Sequence, residues 1–359
     1  MTNGSRRPLG SFVQDEYQVV AEFADVMPTG LTVSDAGRIF VSFPRWGDDV
    51  LFTVAEIVDG TAVPFPNAAV NEWSAEASPD QLISVQSVIV DPNGYLWLLD
   101  TGAPSFAPHV PGGPKLVRVD LSRNEIDRIV RIANSAMTPT TYLNDVRFDF
   151  SKGNGGYAYV TDSQPTGALI VVDLDTDESW DRLRGHDTTR AEDGFRAVVQ
   201  GEVREQYRVG ADGIAISATG DRIFYCPLSS RRLYSVDAAA LRDRDMQDDR
   251  VAETILDHGD KGASDGLETD TAGNLYATAY EHSAVLRRSA KGEWTTVVHG
   301  PKLLWPDTLA LAADGHLYVS VNQLPRTPLF NEGADDRIPP YSIIRIDVGA
   351  HPIRLRGQL

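Results

Sequence analysis

Cysteine occurs once in this chain, at Cys226, so no disulfide can close within it. Basic residues are also scarce: 33 Lys and Arg stand against 51 Asp and Glu, for a net charge of −18. Neutralising nucleic-acid phosphates takes clustered Lys and Arg, which argues against a nucleic-acid partner. An anionic membrane surface is disfavoured for the same reason. The acidity reads as solubility or, alternatively, as a fit to cationic ligands or a cation-rich environment. No run approaches the roughly 18 apolar residues that suggest a spanning helix. The opening segment has no apolar stretch of the signal-peptide kind. These absences favour a soluble cytoplasmic protein, or a secreted one if a leader is missing. There is no Gly-x-Ser-x-Gly elbow, no His-Glu-x-x-His, no phosphate loop and no dinucleotide fingerprint, so no nucleotide cofactor is expected. Helical periodicity is rare, with Ala238–Arg242 the best candidate.

What is present is repetition. Three signals recur six times in a fixed order, which is the signature of a repeat architecture. The first is a polar-then-apolar opening: Thr29-Gly30-Leu31, Gln86-Ser87-Val88, Asn144-Asp145-Val146, Asp212-Gly213-Ile214, Asp265-Gly266-Leu267 and Asp307-Thr308-Leu309. The second is a turn and an aromatic-ended strand, as in Gly37-Arg38-Ile39-Phe40, Gly94-Tyr95-Leu96-Trp97 and Gly315-His316-Leu317-Tyr318. The third is a strand often ending in Asp, as in Leu116–Asp120, Leu169–Asp173 and Leu233–Asp237. With a fourth strand such as Thr295–Val298, the pattern predicts an all-β, six-bladed β-propeller with four antiparallel strands per blade. The whole chain, 1–359, is expected to form this single domain. A strand around Val19-Val20 precedes the first opening motif. Its expected partner is the last repeat, where pairing would close the ring and remove two open edges.

Several segments resemble the yellow / major royal jelly family. They are Asp212–Ser217 with Ile223–Ser230, Ser264-Asp265-Gly266-Leu267, Trp305-Pro306-Asp307-Thr308-Leu309 and Asn322-Gln323-Leu324-Pro325. The resemblance covers most of the chain and is dense from about Leu143 onward. It implies a six-bladed propeller with a small-molecule site on its axis. Its members include pigment-pathway and amine-binding salivary proteins. The Asp-Gly segments are shared with the wider gluconolactonase-like propellers, among them calcium-dependent lactonases. That wider pattern places a metal-binding carboxylate in the first blade, where this chain has Thr29.

Aligning the repeats puts Thr29, Gln86, Asn144, Asp212, Asp265 and Asp307 at one equivalent position. Innermost strands face the axis, so these residues should form a polar ring. Asp145, one residue on from Asn144, adds a further carboxylate. Converging carboxylates resist joint ionisation, and three remedies exist. An oxygen-only set of Asn144, Asp212, Asp265 and Asp307 would suit calcium or another divalent cation. One carboxyl could instead stay protonated and act as acid or base. Or each Asp caps a local turn.

Asp265, Asp212 and His282 are the candidate catalytic groups. Gln86, Arg45, Trp46, Tyr280 and Asn322 are candidate ligand contacts, most of them on loops expected to crowd one mouth. The sequence supports a small-molecule enzyme, by metal-assisted lactone hydrolysis or by isomerisation of an oxygenated ring compound. The alternative is a non-catalytic binder of small amines or aromatic ligands. Neither the substrate nor the oligomeric state is legible.

Overall fold

Short apolar–polar alternations broken by Gly, Asn and Asp dictate hairpins rather than helices. The computed structural model describes residues 16–74, 76, 78–205 and 207–357. The runs fold into six four-stranded antiparallel sheets. The innermost strands are Leu31–Val33, Val85–Val90, Leu143–Asp149, Ala211–Ile216, Leu267–Thr269 and Pro306–Leu311. Neighbouring inner strands touch one another in an unbroken circle, so the sheets are the blades of a six-bladed propeller.

The blade that completes the circle uses both ends of the chain. Gln18–Phe23 forms its outer strand and runs antiparallel to Tyr341–Asp347, with Val19 opposite Ile344 and Phe23 opposite Tyr341. The closure expected from the sequence is therefore present. Second-strand aromatics fill the seams between blades: Phe40, Trp97, Tyr159 and Tyr276 are fully buried. Trp97 meets Phe148 of the next blade at 5.0 Å. Each such side chain contributes about 2–3 kcal/mol by leaving water.

A belt of hydrogen bonds joins the blades at the ring position itself. Ser320 Oγ donates to the Thr29 carbonyl at 2.7 Å, Ser42 Oγ to the Gln86 carbonyl at 2.8 Å, and Thr161 Oγ1 to the Asp212 carbonyl at 2.7 Å. The Gly266 amide donates to the Asp307 carbonyl at 2.9 Å. This close approach explains the Asp-Gly pairs. A Cβ on Gly213 would sit 2.1 Å from the Asp265 carbonyl oxygen, and one on Gly266 2.3 Å from that of Asp307. These glycines serve strand-to-strand contact on the axis rather than a tight turn.

Between the third and fourth blades lies an extra hairpin, Ala197–Val199 with Glu202–Arg204. It docks on the last mouth loop, where Arg204 Nη1 donates to Asn331 Oδ1 at 3.0 Å and Arg326 Nε to Gln200 Oε1 at 3.2 Å. Ala238–Arg242 is helical, capped by the Asp237 carboxylate. Among the described residues no helix is long and apolar enough to cross a membrane.

Candidate active site

A cavity of about 500 Å³ opens on the axis. Gln86, Asn144, Asp212, Asp265 and Asp307, five of the six ring positions, all line it. Thr29 does not; it is fully buried, and its hydroxyl is spent on the Gln86 carbonyl at 3.1 Å.

The three aspartates are almost wholly buried, and each holds at least one oxygen on a neutral donor. Asn144 Nδ2 donates to Asp212 Oδ1 at 2.7 Å. Trp305 Nε1 donates to Asp265 Oδ2 at 2.6 Å. Asn322 Nδ2 donates to Asp307 Oδ2 at 2.5 Å, and Thr308 Oγ1 to Asp307 Oδ1 at 3.1 Å. Asp212 and Asp265 perturb each other's ionisation, so the two carboxyls titrate together. Burial pushes all three pKa values well above the ordinary carboxylate range. The neighbouring Asp212 charge raises Asp265 further, while Asp265 favours the ionised form of Asp212. The two carboxyls therefore compete for a proton at the cavity floor.

One layer deeper the charge is handled differently. Arg147 Nη1 donates to both oxygens of Asp145 at 3.0 and 2.9 Å, and Nη2 to the Leu267 carbonyl at 2.6 Å. Burial alone would lower the guanidinium pKa, but Asp145 and Glu268 outweigh it and keep Arg147 charged. This arginine crosses from the third blade to the fifth and neutralises the carboxylate beneath the ring.

Calcium requires several carboxylate oxygens aimed at one point. Here those oxygens face indole, amide and hydroxyl donors and one another. Among the described residues no three His, Cys, Asp or Glu side chains are placed to share a metal ion. The donor set as arranged does not fit a divalent cation.

Above the floor, one wall is aromatic. Trp46 stacks on Phe106 at 5.6 Å and Phe106 lies 4.8 Å from Tyr142. Trp46 Nε1 donates to the Tyr142 hydroxyl at 2.6 Å, which donates to Gln86 Oε1 at 3.0 Å. Leu228, Leu324, Leu329, Phe330 and Val209 line the cavity with them. Asp100 and Asp162, at equivalent ends of second strands, pin the loops that carry this wall. Asp100 accepts from the Ile83, Ser84 and Gly102 amides and from Lys115 Nζ at 2.9 Å. Asp162 accepts from the Tyr142 amide at 3.0 Å and Thr141 Oγ1 at 2.7 Å, and from Arg184 Nη1 at 2.8 Å.

The remaining candidates lie elsewhere. His282 is exposed and outside the cavity lining. Tyr280 is fully buried behind Trp305, stacked on it at 4.0 Å with its hydroxyl on the Leu228 carbonyl at 2.7 Å. The Arg45 guanidinium ties loops together through the carbonyls of Ile83, Val50 and Asn71. Asn322 lies behind Asp307 and orients it. Sequence reasoning missed Tyr142, Arg147, Arg208 and the support of Asp265 by Trp305. Tyr142 and Arg208 stand on connections leading into inner strands, a position the repeat pattern makes recognisable.

Comparison with known proteins follows the same lines. The family described as "Major royal jelly protein" matches residues 83–338. The yellow-related salivary protein SP04 of Phlebotomus argentipes is 27% identical over 241 residues, covering 63% of this chain and 59% of that protein. Protein yellow of Drosophila pseudoobscura pseudoobscura is 27% identical over 243 residues, covering 61% of this chain and 41% of that one. The matched segment thus spans about half the length of these curated relatives. Among solved structures, a luciferin-regenerating enzyme superposes with a TM-score of 0.58 at 12% identity, over 96% of this chain and 100% of that one. A gluconolactonase from Xanthomonas campestris gives a TM-score of 0.56 at 12% identity, over 92% and 88%. At such identities these structures speak to the fold alone.

Proposed function

We propose that this chain, which belongs to the major royal jelly protein family, is a small-molecule enzyme that moves protons on an oxygenated ring compound. The observation that carries this reading is the Asp212–Asp265 pair at the floor of an aromatic-walled cavity, both carboxyls pushed up by burial; in this reading Asp265 holds a proton and Asp212 takes one. Isomerisation follows directly from that division. Asp212 removes a proton from the carbon beside a carbonyl while Asp265 gives its own to the carbonyl oxygen. The pair ends with one proton, as it began; Asp212 then delivers it to a different carbon of the enol while Asp265 recovers the proton of the enol oxygen, which releases the isomer and resets the pair. Trp305 and Asn144 hold the two carboxyls in register, and the Trp46, Phe106 and Tyr142 wall seats the flat ring. Lactone hydrolysis fits the same pair if Asp212 activates a water.

A second reading, a binder of small amines, draws support from three aspartates beside aromatic rings. An ammonium seated there would itself favour ionised carboxylates, so binding and turnover are measured together. The test uses 2-indanone as an enolisable cyclic ketone, dihydrocoumarin as a lactone and tyramine as an amine. Deuterium should enter 2-indanone in heavy water, and Asp212→Asn should slow exchange by roughly 10²-fold. Tyramine binding without turnover of either oxygenated compound would favour the binder. A rise in melting temperature when calcium is added to chelator-treated protein would restore the metal-assisted mechanism.

A further inference from the structure

We infer that Arg208 is the anchor for a carboxylate on the ligand, so that the ring compound bound in this cavity is an acid whose charged end faces the mouth. The inference rests on the proposed function only in taking the axial cavity as the ligand site.

Arg208 is the one Lys or Arg among the described residues that line the cavity. It is exposed and has no hydrogen-bond or ion-pair partner among the described residues. The arginines around it are engaged. Arg45 holds three carbonyls, Arg184 pairs with Asp162 and Asp181, and Arg337 pairs with Asp48 and Asp335. In a chain of net charge −18, a guanidinium beside a cavity and left unpaired is an opening for an anion.

Its backbone is fixed on both sides. Tyr207 is fully buried, edge-on to Trp305 at 5.8 Å and to Phe330 at 5.4 Å. The Val209 amide donates to Ser229 Oγ at 2.9 Å, and the Gly210 amide to the Ser163 carbonyl at 2.9 Å. The backbone that carries Arg208 is therefore fixed, and only its side chain has to be ordered on binding.

Charge count and geometry select the anion class. A guanidinium presents a planar fork that matches a carboxylate in two parallel hydrogen bonds. A phosphate would ask for a second cation, and the lining has none. The acidic floor does not repel such a ligand. Burial pushes the pKa values of Asp212, Asp265 and Asp307 up, towards the uncharged form, and Asp145 beneath them is paired with Arg147. Arg208 stands on a mouth connection and the aspartates on inner strands, so the carboxylate and the reacting oxygen belong at opposite ends of the molecule.

Calorimetry with 2-naphthoate, coumarin-3-carboxylate and indole-3-carboxylate, each against its methyl ester, tests this. At least one acid should bind the native protein about tenfold more tightly than its ester, as a charge-assisted contact at a partly exposed site allows. Arg208→Gln should erase the preference and leave ester binding unchanged, and Arg208→Lys should restore part of it. The preference should shrink between about 0.05 and 0.5 M salt, as screening requires. Asp212→Asn should leave the acid-to-ester ratio intact while slowing deuterium exchange by roughly 10²-fold, so failure of the catalytic reading and failure of the anchor are told apart. The inference is overturned if no acid exceeds its ester by about threefold in the native protein, or if the preference survives in Arg208→Gln.

Discussion

At the scale of single residues, the floor of the cavity is held against local preference. Trp305 has a φ of 57°, a left-handed conformation that costs a bulky residue on the order of 1 kcal/mol or more. What that conformation secures is the indole N–H on Asp265 and the stack on Tyr280. The protonated state of Asp265 has a consequence for stability. Its pKa is raised in the folded protein, so folding retains a proton that the unfolded chain gives up above the ordinary carboxylate range. This group's contribution is fully present below that range and is lost as pH rises through the folded-state value. Asparagine at 265 can still accept from Trp305 and donate to Asp212, and it has no proton to lose. Asp265→Asn should therefore gain in unfolding free energy relative to the native protein as pH rises from about 4 to 8, by at most about 1.4 kcal/mol per pH unit, with a matching rise in relative melting temperature. Thermal unfolding across that range would show it, and an advantage that falls with rising pH would contradict the assignment of the proton.

Among the elements, the loops rather than the strands decide which predicted residues meet. The polar ring was readable because six repeats put it at one position, and a repeated strand has a repeated direction. Loop residues carry no such constraint. Trp46 reaches the cavity because its indole finds Tyr142. Tyr280 sits at a comparable place in its own blade but turns inward to cover Trp305, and His282 follows it out to solvent. Arg147 could not be read from the pattern, since no other blade repeats it. Nothing in the sequence marks Asp100 and Asp162 as pins, because the groups they hold are brought to them only by the fold. Lys115 and Asp100 form an ion pair with both side chains fully buried. Lys115→Met would leave that carboxylate without its counter-charge, at a cost of about 3 kcal/mol. Adding Asp100→Asn should recover part of the loss. Urea unfolding of the two single variants and the double variant measures the coupling, and additive losses would show that the pair is not acting as a unit.

For the whole molecule, the decisive contact is the one between the two ends of the chain. A propeller with an open seam exposes the edges of its sheets, and each blade is marginal without neighbours on both sides. Gln18–Phe23 closes the seam here by pairing with Tyr341–Asp347. Phe23 is buried and meets Phe43 of the first blade edge-on at 5.2 Å, so this strand joins the last blade to the first. That single side chain contributes about 3 kcal/mol, and the strand's backbone bonds add to it. Because inner strands contact one another all round the axis, the loss should spread through the ring. Deleting residues 1–25 should lower the melting temperature by about 10 °C or more, in one transition rather than two. Phe23→Ala in the full chain should reproduce part of the drop. An unchanged midpoint, or a first transition confined to the last blade, would mean that the ring is held by its axis alone. The axial site would then depend on the carbonyl belt around Asp212 and Asp307 rather than on closure.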